Sequence, residues 1–117
     1  MKYLICGSRD WTNYNLIKER ILYHQPTMII SGGCKGADKI AENIAKELNI
    51  PIEIYNAEWD KYGNSAGPIR NKKMLEEGNP DYVIAFHDDL ENSKGTLDMV
   101  NKSLNKGKIV VHYENDK

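Results

Sequence analysis

Short apolar segments alternate along the chain with longer segments in which apolar residues recur every three or four positions. The short segments are typical of buried strands, and the longer ones are typical of amphipathic helices. This pattern predicts strands at residues 2–6, 27–31, 52–55, 82–86 and 108–112. It predicts helices at residues 13–23, about 40–48, 68–77 and 96–104, and an irregular segment at residues 56–67.

The predicted strands are separated by helices along the whole chain. Strands joined in this way run parallel, and their crossovers are right-handed. The order therefore predicts an α/β fold, a Rossmann-like doubly wound parallel sheet of about five strands with helices on both faces. With 117 residues, we expect a single domain over residues 1–117.

The charge balance narrows the classes of function. Lys and Arg number 16 against 17 Asp and Glu, a formal charge of −1. Proteins that neutralise nucleic-acid phosphates usually carry a clear basic excess, so nucleic acid is a disfavoured partner.

The longest apolar runs fall far short of the roughly 20 residues needed to cross a bilayer. The first strand meets Gly7 too early for a signal peptide, so we expect a cytoplasmic protein, bacterial or phage-encoded, without a membrane partner.

Four polar turns are expected at one edge of the sheet, because helices in such a fold begin near the carboxyl ends of the strands. Glycine lets the backbone approach a ligand, helix amino termini attract phosphate, and arginine binds it through a planar fork. The turns predict an anion site. The candidate ligand-binding residues are Gly7, Ser8, Arg9, Ser31, Gly32, Gly33, Gly36, Asp38, Trp59, Asn71, Gly95 and Thr96.

The clearest of these turns spans residues 31–38, where three glycines lie between a strand and a helix. It is not a Walker A loop, since Lys35 precedes the last glycine and no Lys-Ser/Thr pair opens the helix. Its G-G-x-x-G spacing also differs from the dinucleotide fingerprint. The alternative is a purely structural turn in which Ser31 or Asp38 caps the helix.

Arg70 and Trp59 each have two interpretations. Arg70 comes early in a helix, where its charge opposes the helix dipole unless an anion is near, and this favours ligand binding. The alternative is a surface ion pair with Glu76 or Asp60. Trp59 and Tyr62 offer flat faces on which a base would stack, or they form a small core under a loop.

Acidic residues at positions 88, 89 and 91 follow the fourth strand. Such a run suggests metal ligation, but it is usually a solvated loop, and no set of neighbouring ligands completes a coordination shell. His87 is a conceivable acid or base on its own. Cys6 and Cys34 lack the spacing of a zinc site or a disulfide framework. We therefore expect no metal, no cofactor and no disulfide.

These residues together resemble the SLOG superfamily, the Rossmann-like group that includes the Smf/DprA proteins and the LOG (lysine-decarboxylase-like) phosphoribohydrolases. The likeness is greatest to its small stand-alone YspA-like branch, and it covers nearly the whole chain. The matched features are Gly7-Ser8-Arg9, Ser31-Gly32-Gly33, Gly36-Ala37-Asp38, Trp59, Gly63, Ala66-Gly67, Arg70-Asn71, Met74, Phe86 and Gly95-Thr96.

The resemblance implies a nucleotide or nucleotide-derived ligand whose phosphate is held by the glycine turns. In the LOG enzymes an arginine matched by Arg70 and a glutamate of a P-G-G-x-G-T-x-x-E motif serve cleavage of an N-glycosidic bond. Here the P-G-G part is missing and Met99 stands at the glutamate position. A methionine cannot stabilise oxocarbenium charge. Asp98 is the nearest carboxylate, and Arg70 with Asp98 is the candidate catalytic pair, with Asp38 and Asp10 as alternatives.

Three functions follow from these observations. We favour a sensor or sequestering module that binds a small phosphorylated nucleotide-like ligand. The alternative is a LOG-like hydrolase of nucleotides, and binding of single-stranded DNA ranks third. Because related enzymes commonly dimerise through helices beside the site, we also expect a homodimer or higher homo-oligomer.

Overall fold

A computed structural model of the chain describes residues 1–115. Within these residues it contains five strands and five α-helices, which alternate except that two helices, one of them short, follow the third strand. The strands are β1 (Lys2–Gly7), β2 (Met28–Ser31), β3 (Ile52–Ile54), β4 (Tyr82–Phe86) and β5 (Ile109–Tyr113). The helices are α1 (Tyr14–His24), α2 (Ala37–Glu47), α3 (Trp59–Tyr62), α4 (Ala66–Lys73) and α5 (Gly95–Asn105).

The five strands form one parallel sheet in the order β3-β2-β1-β4-β5. This is the doubly wound Rossmann-like arrangement that the sequence predicts. The chain moves outward in one direction from β1 to β3 and then returns to the other side of β1 with β4. A crevice therefore opens between the carboxyl ends of β1 and β4, the point at which such folds usually bind ligands.

The sheet is covered on both faces, because successive side chains of a strand point to opposite sides. Tyr3 and Ile5 of β1 pack in one core with helices α1 and α2. Leu4 and Cys6 pack in a second core that includes Met99 of α5. Helices α4 and α5 thus lie on the face opposite α1 and α2, and both pairs begin at the crevice edge of the sheet.

The segment predicted to be irregular, residues 56–67, is more ordered than expected. It contains α3, a 3₁₀ turn at Gly63–Ser65 and the first residues of α4, so that helix begins before Pro68. Pro68 still lies in the first turn, where its missing N–H has no intrahelical partner to lose. Helix α3 is only four residues long and none of them is buried, so it leaves no apolar periodicity in the sequence.

After α4 the chain makes one π-helical turn at Met74–Gly78. Met74 and Leu75 are buried there in the second core, with Ile30 of β2. This packing fixes α4 against the sheet and so positions the polar side chains of its preceding turn. Within residues 1–115, no helix has the length and apolar character that a bilayer crossing requires.

Candidate functional site

A cavity of about 760 Å³ opens at the crevice between β1 and β4. Its walls come from the loop after β1, from α4, from the amino-terminal part of α5 and from Trp59 of α3. Of the predicted site residues it is lined by Gly7, Ser8, Arg9, Asp38, Trp59, Arg70, Asn71, Gly95, Thr96 and Asp98. The tertiary structure thus brings most of the predicted residues together in one place.

A smaller cavity of about 320 Å³ adjoins the first at the carboxyl ends of β2 and β3. Gly32 and Gly33 line this smaller cavity and not the larger one. Of the loop after β1, Arg9 lines the same cavity as the two glycines, whereas Gly7 and Ser8 line the larger one. The residues of the candidate site divide between two neighbouring cavities, a division that the sequence did not predict.

The loop after β1 is held against the amino end of α2. The carbonyl of Ser8 accepts hydrogen bonds from the amides of Ala37 at 3.0 Å and Trp11 at 3.3 Å. A Cβ atom at Gly36 would lie 2.3 Å from that carbonyl oxygen, and Gly36 has a φ of +81°. Glycine is therefore required at position 36 for the two loops to meet.

Several polar groups of the turn at residues 31–38 are already paired with other groups of the protein. The Ser31 hydroxyl is fully buried, donates to Glu42 at 2.9 Å and accepts from the amide of Gly33 at 3.3 Å. The amide of Cys34 donates to the Asp38 carboxylate at 3.3 Å. These contacts close the turn from within, as in the structural alternative, but neither Ser31 nor Asp38 caps α2, because its N-cap Gly36 receives no side-chain hydrogen bond.

Two predicted ligand-binding residues lie outside both cavities. Ser31 and Gly36 line neither cavity. The Ser31 side chain points into the protein toward Glu42. Gly36 is packed against the backbone of Ser8 and Arg9. Both residues support the turn behind the cavity wall, and neither lines a cavity.

Asp38 lies at the boundary between the turn and the larger cavity. Burial raises the pKa of its carboxyl to about 7, although the nearby Arg70 guanidinium and the Cys34 amide act in the opposite direction. At neutral pH this group is therefore present in both its neutral and its ionised form. Such a carboxyl is able to exchange a proton with a bound molecule.

Arg70 is nine-tenths buried and is held by acceptors of the protein. Its Nη1 donates to the carbonyl of Gly32 at 2.6 Å, and Nη1 and Nη2 contact the sulfur of Cys34 at 3.7 and 3.6 Å. Glu76 pairs instead with Lys72 and Lys106. Within residues 1–115, no carboxylate lies within 4.0 Å of the guanidinium, so the surface ion pair that we gave as an alternative is not formed.

Arg70 and Asp98 are joined through Asn71. Arg70 Nε donates to Asn71 Oδ1 at 3.0 Å, and Asn71 Nδ2 donates to Asp98 Oδ2 at 3.0 Å. Lys102 Nζ binds both oxygens of Asp98 at 2.6 and 2.7 Å. The two candidate catalytic residues therefore belong to one hydrogen-bonded chain, but the charge of the carboxylate is already offset by a lysine.

The amino end of α5 offers an anion position in the larger cavity. The Ser93 hydroxyl caps the amide of Leu97 at 3.0 Å. The amides of Gly95 and Thr96 have no hydrogen-bond acceptor among the described residues. Unpaired amides and the positive end of the helix dipole favour a negative charge at this point.

Trp59 is part of the cavity wall and is not part of a core. It is 46% exposed, and Tyr62 on the same helix is 39% exposed, so the small core that we considered under this loop is not formed. The Arg9 guanidinium lies 5.7 Å from the centroid of the Trp59 ring. An aromatic face next to a cation is a surface on which a base can stack.

Two of the acidic residues after β4 are engaged in hydrogen bonds, one with the segment after β5 and one within its own loop. Asp88 accepts from Asn115, and Asp89 accepts from Asn92. Within residues 1–115, no three His, Cys, Asp or Glu side chains are grouped as a metal site would need. Both cysteines are free thiols, and burial raises the pKa of Cys6.

Comparison with known proteins agrees with this picture. The family model described as YAcAr, the YspA, cpYpsA-related SLOG family, matches residues 1–62. The Gene 61 protein of Mycobacterium phage D29 is 30% identical over 122 aligned positions, which cover 96% of this chain and 95% of that protein. The chain belongs to the YspA-related SLOG family. The resemblance noted in the sequence is thereby confirmed.

A solved structure extends the comparison to the fold of this SLOG protein. DNA processing protein A (DprA) from Streptococcus pneumoniae matches with a TM-score of 0.77 at 17% identity. The match covers 98% of this chain and 50% of that one, so this chain spans half the length of DprA. The likeness confirms the Rossmann-like fold.

Several residues of the SLOG site were not predicted. Asn56 and Ala57 follow β3 and line the smaller cavity, and Asn64 lines the larger one. The argument that identified the other turns applies equally to Asn56, because it too follows the carboxyl end of a strand. Asn64 lies in the 3₁₀ turn before α4, and no sequence signal marks it as a wall residue.

Proposed function

We propose that this SLOG protein binds a small, phosphorylated, nucleotide-derived molecule in the larger cavity, as a sensor or sequestering module. The observation that carries the proposal is the unpaired amino end of α5, whose Gly95 and Thr96 amides border a cavity of about 760 Å³ at the switch point of the sheet. Cavities of this size at such points commonly hold nucleotide-sized ligands.

The phosphate and the base of a nucleotide would contact different parts of the cavity wall. The phosphate binds to the amides at the start of α5, beside the exposed side chain of Lys94. The base stacks on the exposed face of Trp59. Arg9 and Arg70, which also line the cavity, add positive charge between these two positions.

The alternative function is cleavage of the N-glycosidic bond of a nucleotide. The chain of hydrogen bonds from Arg70 through Asn71 to Asp98 favours it, because it links the two candidate catalytic groups within the cavity wall. Lys102, however, binds both oxygens of Asp98. A carboxylate neutralised in this way is a weak stabiliser of developing positive charge, so we prefer the binding function.

Binding of single-stranded DNA is a third possibility, and we rank it last. The family and the fold are shared with a protein whose name refers to DNA processing. Yet the formal charge of this chain is −1, and grooves that follow a nucleic-acid backbone are strongly positive.

The test is isothermal titration calorimetry of the full chain with a panel of nucleoside 5′-mono- and diphosphates. We expect saturable binding. Its affinity should fall about tenfold in Lys94→Ala, because one charge-assisted contact is lost. Lys46→Ala is the matched control, because it removes the same charge from an exposed site near the carboxyl end of α2, away from the cavity. Its affinity should equal that of the wild type.

The same samples distinguish the three functions. Free base detected by chromatography, and lost in Asp98→Asn, would establish the hydrolase and overturn the binding module. A dT20 oligonucleotide that binds more tightly than every nucleotide of the panel would establish DNA binding. If no nucleotide binds, the proposed function is wrong.

A further inference from the structure

The smaller cavity, of about 320 Å³, shares a wall with the larger one. Arg9, Cys34, Trp59 and Arg70 line both cavities. A molecule bound in the larger cavity therefore reaches the smaller one by passing these side chains. The two spaces are neighbouring parts of one site and not independent pockets.

The charges that line the two cavities differ. The larger cavity is bordered by three basic and three acidic side chains, namely Arg9, Arg70, Lys94, Asp10, Asp38 and Asp98. The smaller cavity is bordered by Arg9, Lys35 and Arg70, and among residues 1–115 no carboxylate lines it. The larger cavity is thus balanced in charge, whereas the smaller one is positive.

The three cations of the smaller cavity have no ion-pair partner within 4.0 Å among the described residues. Like charges around one small space repel each other, and the repulsion is greatest at a buried group such as Arg70, whose charge Asp38 offsets in part from the side of the larger cavity. Arg70 is also fixed in place by its bond to the carbonyl of Gly32 at 2.6 Å. An anion in this cavity would relieve the repulsion without displacing that bond.

Side chains are the main donors available for such an anion, because two amides of the turn are already used. The amides of Gly33 and Cys34 already donate to Ser31 and Asp38. The side chain of Asn56, by contrast, makes no hydrogen bond with another described residue. It lies over Gly33, where a Cβ atom would come within 2.2 Å of Asn56 Oδ1, so the glycine leaves space for this amide.

We propose that the smaller cavity is a second anion subsite, and that the ligand is a nucleotide with two separate anionic groups. One group binds at the amino end of α5, and the other binds among Arg9, Lys35, Asn56 and Arg70. The nucleoside between them lies along Trp59, which borders both cavities. This inference rests on the proposed function and specifies the class of ligand.

The experiment compares matched nucleotides by calorimetry on the full chain. The probes are the 5′-monophosphates and the 3′,5′-bisphosphates of adenosine, guanosine, cytidine and uridine. For the nucleoside that binds best, we expect the bisphosphate to bind at least about tenfold more tightly than the monophosphate, because it gains charge-assisted contacts in the second subsite.

Lys35→Ala assigns that gain to the smaller cavity. Lys35 is exposed in a loop, so the variant should fold normally, and Lys46→Ala again serves as the control of equal charge. We expect Lys35→Ala to weaken bisphosphate binding about tenfold and to leave monophosphate binding within about twofold of the wild type.

The outcomes separate the inference from the function on which it rests. The monophosphate could bind in a manner that depends on Lys94, while the second phosphate gives no gain in affinity. That result overturns the second subsite and leaves the proposed function intact. Equal losses for both probes in Lys35→Ala also overturn it, since Lys35 would then act on one common anion. If neither probe binds to the wild type, both proposals are wrong.

Discussion

Asp38 shows how one residue in this chain serves the fold at the expense of its own solvation. Its carboxylate accepts the amide of Cys34 and so closes the turn at residues 31–38. It is only 6% exposed, and burial raises the pKa of the carboxyl to about 7. In the unfolded chain the same group has a pKa of about 3.9.

The unfolding free energy should depend on pH through the ionisation of this carboxyl. Because folding raises its pKa, Asp38 binds a proton more readily in the folded state, and its contribution to stability is complete below about pH 4 and is lost as pH rises through about 7. Relative to Asp38→Asn, the wild type should therefore lose on the order of a few kcal/mol of unfolding free energy between about pH 5 and about pH 8. Urea denaturation at the two pH values measures the difference.

The control for this prediction is Glu91→Gln, which alters an exposed carboxyl of the loop after β4. Its stability should follow the wild type at both pH values. If the unfolding free energies of Asp38→Asn and the wild type change equally from about pH 5 to about pH 8, burial does not raise the pKa of this carboxyl.

At the scale of elements, α4 connects both sides of the site. Arg70 reaches across to the turn after β2, where it binds Gly32. Asn71, the next residue, reaches in the other direction to α5, where it donates to the carbonyl of Gly95 at 3.2 Å and to Asp98. Two adjacent residues of one helix thus tie together the elements that carry the two proposed anion positions.

Removal of this connection should cost stability in a coupled manner. Asn71 is 3% exposed, and Asn71→Ala leaves the buried Arg70 Nε without its acceptor, so it should lower the unfolding free energy by about 1–3 kcal/mol. Asp98→Ala removes one of those partners. A double-mutant cycle should therefore show a coupling of at least about 0.5 kcal/mol between the two substitutions, measured by urea denaturation.

Lys18→Ala provides the reference cycle. Lys18 lies on α1, on the opposite face of the sheet, and pairs with Glu47. Its effect should add to that of Asn71→Ala within about 0.5 kcal/mol. A cycle of Asn71 and Asp98 that is equally additive would contradict the connection through the amide.

The whole molecule is nearly neutral, yet its charges are not evenly distributed. Arg9, Lys35, Arg70 and Lys94 all border the two cavities. Acidic residues border the larger cavity as well, so the excess of positive charge lies at the smaller cavity, and the formal charge of the whole chain is −1. A local positive field of this kind attracts a small phosphorylated ligand, whereas a long polyanion would also meet the acidic surface.

Exposed apolar side chains beside the site favour the predicted self-association of the whole molecule. Trp59, Tyr62 and Ile69 are large apolar side chains, each at least 39% exposed, and they lie on the consecutive helices α3 and α4 beside the site. We expect a homodimer that buries these helices. Light scattering should give twice the monomer mass for the wild type and the monomer mass for Ile69→Glu.

Leu22→Glu is the control for this prediction, because Leu22 is a similarly exposed apolar side chain on α1. It should leave the dimer intact. A wild-type protein that is monomeric at high concentration, or a dimer that only Leu22→Glu disrupts, would contradict the expected interface.

The sequence by itself determined the fold, since strand and helix periodicities are local and only one hand of crossover is allowed. The same reasoning located the edge at which Arg9, Arg70 and Gly95 meet. It could not separate a ligand contact from a structural one. Ser31 and Gly36 have the residue types of a binding loop, yet Ser31 bonds to Glu42 and Gly36 packs against the backbone of Ser8 and Arg9.

Only the tertiary structure decided how the polar side chains are paired. The bond of Arg70 to Gly32, the bond of Asn71 to Asp98 and the unpaired cations of the smaller cavity depend on distances between elements far apart in the chain. Residue type and spacing fix the direction in which a helix or strand presents its side chains. Which partners those side chains meet is set by packing, and that packing makes two cavities from what the sequence indicated as one site.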